Sequence, residues 1–155
     1  EALARVRSQL KVHPDDALLN YFLAQSLMNE SPDVQSEAYQ EAMRAALKAA
    51  QAKPDYAPVH DLLASMYMHA NRYQDAISEC NTALRYDPSD EGATYHLLIA
   101  LKHTGQTGEL AALSKRLAVL HRESLQHENE RKSFRLIEPN EASNSSGRSP
   151  EPASP

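Results

Sequence analysis

Apolar residues recur along this chain one helical turn apart, in short runs that come in pairs. Leu23, Ala24 and Leu27 form one run, and Ala42, Ala46 and Ala49 form the next. Leu63, Ala64 and Tyr67 are likewise followed by Ala76, Cys80 and Ala83. A third pair joins Leu97, Leu98 and Leu101 to the stripe Leu110, Leu113, Leu117 and Leu120. Spacings of three and four residues place such side chains on one face of a helix, so each pair predicts two helices packed against each other. Ala2, Val6 and Leu10 predict one further helix ahead of the first pair.

Prolines punctuate the pattern. Pro14, Pro54 and Pro88 each follow a helical run, where a residue that cannot continue a helix belongs. Pro54 and Pro88 stand 34 residues apart, the period of a helix-turn-helix repeat. Between them Asn71 and Arg72 supply the turn. The unit from Ala57 to Pro88 resembles the tetratricopeptide repeat in its small residues Ala64, Ala76 and Ala83, its bulky Tyr67 and its closing Pro88. It departs from the family at His60, where Trp is common, and at Cys80, where a large aromatic is usual. The resemblance implies an all-α fold: antiparallel helix-turn-helix repeats stacked in a right-handed superhelix. Small side chains sit where helix axes approach, and large ones fill the space to the next repeat.

On this register a helical repeat domain is expected over 1–138, with a partial repeat at 1–13, a repeat with an insertion at 17–54, the best-matching repeat at 57–88 and a degenerate repeat at 91–122. Pro14 and Pro54 are 40 residues apart, six more than the period, and the excess falls between Asn29 and Gln35. Ser31 followed by Pro32 has the form of an N-cap with proline at the first helical position, which predicts an early start for the following helix; a plain loop insertion is the alternative. After a turn at Gly105, one long helix is expected from Glu109 to about Arg135. It caps the stack and continues as a polar extension over 123–138. Residues 139–155 contain no large apolar side chain and are expected to be disordered. The chain opens on Glu1 rather than Met, and the order of repeats resembles the C-terminal part of a larger tetratricopeptide protein of bacterial type.

Composition narrows the function. A length of 155 residues fits one domain, and 41% hydrophobic content with 4 Gly and no Trp suits helices. The net charge of -5, with no cluster of cations and aromatics, argues against a nucleic-acid partner. The longest apolar run, Leu97 to Leu101, is far short of the roughly 20 residues a membrane helix needs. Cys80 is the single cysteine, so it has no disulfide partner and no second thiol for zinc. Its place in the repeat makes it a small buried hydrophobe rather than a nucleophile. His69 and His103 stand one repeat apart, roughly 10 Å by helix-packing distance and too far to share an ion. No metal site, cofactor or catalytic motif is expected, and the chain is read as non-catalytic. Lys115, Arg116 and Arg122 lie among Glu side chains that suit a solvated helix. The compartment is left open.

The resemblance also implies a site. First helices of tetratricopeptide repeats line a concave face that holds peptides or partner helices. In this register the lining comprises Leu18, Tyr21, Phe22 and Gln25, then Leu62, Ser65 and Met68, then Tyr95, His96 and Ile99. Some family members clamp a terminal carboxylate with Lys, Asn and Arg. The matching positions here hold Tyr21, Gln25, Leu62, Gly92 and His96, so an apolar protein segment is the expected partner. A structural or self-associating element that pairs through the Leu110 to Leu120 face is the alternative, as is a substrate-recruiting appendage of an enzyme domain outside this chain.

Overall fold

Short acceptor side chains set where helices begin. Asp16, Ser36 and Asp90 are N-caps whose side-chain oxygens accept from Leu19 N at 2.8 Å, Tyr39 N at 3.2 Å and Ala93 N at 2.9 Å. The computed structural model describes residues 2–137 as seven α-helices: α1 (Ala2–Val12), α2 (Ala17–Met28), α3 (Glu37–Ala52), α4 (Ala57–His69), α5 (Tyr73–Tyr86), α6 (Glu91–His103) and α7 (Leu110–Ile137). Among the described residues there is no strand. The tail expected to be disordered, 139–155, lies outside the described residues.

The six-residue excess is a loop and not an early helix start. Ser31 adopts a left-handed backbone with φ of 47°, which a helix N-cap cannot have, and its N–H closes a turn onto Met28 O at 2.9 Å. The true cap is Ser36, whose hydroxyl also donates to Asp33 O at 2.6 Å. His69 at the end of α4 pins the loop by donating from Nε2 to Pro32 O at 3.0 Å.

Small residues hold the first two hairpins tight. Ala42, Ala46 and Ala49 on α3, and Ala76, Cys80 and Ala83 on α5, are each fully buried or nearly so, as are Ala24 and Ala64 on the helices they face. Leu23, Leu63 and Leu97, one per first helix, are the large anchors beside them. Burying each is worth about 1.5–3 kcal/mol. In the last hairpin the pattern changes: Leu98 stands where Ala64 does one repeat earlier, and Leu113 leads α7 as Ala76 leads α5.

The prolines that mark the period are anchored through their carbonyls. Asn20, His60 and Thr94 occupy matching positions on α2, α4 and α6 and are the buried polar residues of the described chain. Asn20 Nδ2 donates to Pro14 O at 3.0 Å, and His60 Nε2 to Pro54 O at 2.8 Å. Thr94 instead bonds Asp90 O at 2.7 Å, and Pro88 O receives Arg116 from α7. His60 Nδ1 also lies within hydrogen-bond distance of Glu79 Oε2, at 2.7 Å, tying α4 to α5. A buried polar ring that touches two oxygens thus stands where the tetratricopeptide repeat commonly has Trp.

Two core clusters result. The first gathers Leu23, Ala42, Ala46, Val59, Leu63 and Met66 from α2, α3 and α4, with Leu3, Val6 and Leu10 of α1 packed on it. The second gathers Ala64, Cys80, Leu97, Leu101 and Leu113 from α4, α5, α6 and α7. Helix α4 serves both. The chain divides into a first unit that ends at His121 and a second that begins at Arg122. In the second, side chains described up to Ser133 are exposed, and the helix carries local pairs such as Lys132 Nζ to Glu128 Oε1 at 2.8 Å.

Candidate functional site

The ten residues expected at the site fall on α2, α4 and α6. Their chemistry comes from the spacing of these helices: residues between the buried anchors turn outward, and on α2 and α4 none of them is a Lys or Arg. Leu18, Phe22 and Tyr95 are 44%, 47% and 51% exposed, which is high for side chains of their size. Gln25 is also exposed, while Tyr21, Leu62, Ser65, Met68, His96 and Ile99 are half-buried.

Tyr21 is the centre of one aromatic group. Its ring meets Phe22 at 5.5 Å and stands edge-on to Tyr56 at 5.3 Å, and Gln25 Nε2 donates to its hydroxyl at 3.1 Å. Burial pushes the Tyr21 phenol above its ordinary range, and Tyr56, Asp61 and Asp90 add to the rise. The phenol is therefore a neutral donor. Tyr95 belongs to a separate aromatic group with His96 at 5.8 Å.

The link between α4 and α6 is Asp61, a residue the sequence did not single out. Its Oδ1 accepts from His96 Nδ1 at 2.7 Å. Gly92 makes room for it, since a Cβ there would lie 2.7 Å from Asp61 Oδ2 and 3.3 Å from Asp90 Oδ1. Asp90 is half-buried, and burial with the nearby Asp61 charge raises its carboxyl above the ordinary range despite the bond from Ala93 N. The signal was present in the register, because Asp61 precedes Tyr95 by one period of 34.

The arrangement offers apolar and aromatic area with scattered hydrogen-bonding groups. Cys80 is fully buried, and burial raises its thiol to about 12, so it holds its proton. His69 is engaged with Pro32 O and His103 stacks on Tyr73 at 4.4 Å. Among the described residues no three His, Cys, Asp or Glu side chains gather as metal ligands, and no helix is long and apolar enough to cross a membrane.

Comparison with known proteins places residues 33–107 within a tetratricopeptide repeat family model. The fold is similar to that of a MamA mutant (TM-score 0.63, 19% identity, 76% of this chain and 65% of that one). It is also similar to the crystal structure of MamA protein (TM-score 0.65, 16% identity, 82% and 66%) and to MamA MSR-1 C2 (TM-score 0.61, 20% identity, 80% and 70%). The chain thus spans less than two thirds of the length of the first two. No curated protein sequence matches it. The likeness is one of fold: an all-α solenoid of stacked helical hairpins.

Proposed function

We propose that this chain, whose residues 33–107 are tetratricopeptide repeats, is a non-catalytic scaffold that holds another polypeptide along the face made by α2, α4 and α6. The observation that carries the reading is the exposure of Leu18 and Phe22 on α2 and of Tyr95 on α6, the first helices on either side of α4 in the repeat order. Large apolar side chains left in water at such positions gain free energy when a partner covers them, by about 25 cal/mol for each Å² removed from water. The partner segment is apolar or aromatic, because Tyr21, Phe22 and Tyr95 offer ring faces and edges. Tyr21, Gln25 and Ser65 supply hydrogen bonds that set its register.

The absence of Lys and Arg from α2 and α4 argues against carboxylate capture and for recognition by burial and shape. Fold by itself does not fix function, and the residues above are what the reading rests on. The experiment is selection of random displayed twelve-residue peptides on the chain and on its Leu18→Ala and Phe22→Ala forms. Apolar sequences enriched on the wild type and lost from both variants support the face. Equal enrichment on all three would remove it.

A further inference from the structure

The surface on which α6 packs is repeated one step along the chain. In the α4/α5 hairpin, Asp61 bonds His96 and abuts Gly92, and Ala64, Ile77, Cys80 and Leu84 share a core with Leu97, Leu98 and Leu101. The first helices α4 and α6 begin 34 residues apart, and the second helices α5 and α7 begin 37 apart. Carried along by those steps, the five seat residues become Tyr95, Leu98, Ser114, Leu117 and His121. All five line one groove between α6 and α7, about 790 Å³ in volume.

The residues at the groove differ from those one repeat earlier. Where Ala64 and Ala76 stand one repeat earlier, α6 and α7 carry the larger Leu98 and Leu113, of which Leu98 lines the groove. Its walls are the Tyr95 ring, Leu98, Leu117 and Ala118. Its polar groups are few, and Glu91 and His121 are already joined at 2.7 Å. Such walls cannot hydrogen-bond an extended backbone, whose buried N–H and C=O groups would go unpaired, whereas a helix satisfies its own.

We propose that this groove seats an amphipathic helix supplied by another polypeptide, which extends the stack by one helix in trans. The chain itself states the occupant's form, since α4 fills the corresponding seat on α2/α3 and α6 fills the one on α4/α5. With Leu98 and Leu117 in the places of Ala64 and Cys80, the incoming helix carries Ala, Ser or Gly where it crosses them. Its larger apolar residues lie a turn to either side. The groove shares Tyr95 with the face proposed above, but none of that face's residues on α2 or α4.

The test uses the whole chain and a fluorescein-labelled peptide of about eighteen residues, five helical turns, with Ala and Leu on one face and Lys and Gln on the other. A scramble of the same composition is the control. Fluorescence anisotropy is expected to show saturable binding of the amphipathic peptide, at least tenfold weaker binding of the scramble, and at least tenfold loss in Ala118→Glu. Ala118 is exposed, so this variant keeps its thermal midpoint. Equal binding of the scramble, or full binding by Ala118→Glu, overturns the proposal. So does sedimentation that finds a dimer, broken by Ala118→Glu, that the peptide does not compete with; the groove would then belong to a second copy. Loss of peptide selection on the other face with this groove still active would fault only the scaffold reading above.

Discussion

His96 on α6 donates from Nδ1 to Asp61 Oδ1 on α4 at 2.7 Å, and the Asp61 carboxylate reaches that position only because residue 92 has no side chain. Alanine ordinarily stabilises a helix over glycine by about 0.5–1 kcal/mol. At Gly92 the added methyl meets Asp61 Oδ2 at 2.7 Å, so Gly92→Ala is expected to lower the urea midpoint. In an Asp61→Ala background the same change is expected to raise it. An additive double-mutant cycle would show that the two residues do not share this space.

Ala64→Leu and Ala76→Leu are each expected to destabilise the chain by about 1–3 kcal/mol, because both alanines are fully buried and have no space to grow into. Thermal midpoints equal to wild type for either would contradict the assignment of these residues to the close approach of α4 and α5.

The Cys80 thiol gives a pH signature. Burial first, then the Asp61, Asp90 and Glu79 charges, raise it to about 12. The unfolded thiol titrates near 8.5. The folded state therefore holds the proton more tightly, its contribution to stability is complete below about pH 8.5, and it is lost as pH rises toward the folded value. Stability of the wild type is expected to fall more steeply between about pH 9 and 11 than that of Cys80→Ala. Parallel curves would mean that the thiol is not shielded.

Tyr39 links α3 to α4 by donating its hydroxyl to Met66 O at 2.9 Å, in a buried setting. Met66 O also accepts from Ala70 N at 3.1 Å, so Tyr39→Phe leaves no orphaned carbonyl. The expected cost is about 0.5–1.5 kcal/mol by chemical denaturation, against about 3–5 kcal/mol for Tyr39→Ala. Equal losses for both variants would place the stability in the hydroxyl rather than in ring packing.

Helices and their pairing were legible because alanine rows such as Ala42, Ala46 and Ala49 encode both period and close approach in local spacing. The loop at Asn29–Gln35 was not, since Ser31 and Pro32 serve a cap or a turn equally well. The choice is made by Met28 O and by His69, which lies 37 residues from Pro32. His60 was read as a departure from the family, yet its burial depends on Glu79 and Pro54 O, neither of them a neighbour in sequence. At the candidate face the exposed rings of Phe22 and Tyr95 followed from register. The Asp61–His96 bond did not, because it requires knowing how one repeat sits on the next.

Helix α4 has a different consequence for how the chain comes apart. Its Val59, Leu63 and Met66 belong to one core and its Ala64 to the other. A stack whose units touch only their neighbours can fray from either end, one hairpin at a time. Because α4 cannot leave one core without opening the other, fraying from either end stops there. The amides of α4 are therefore expected to exchange last and together, through opening of both cores.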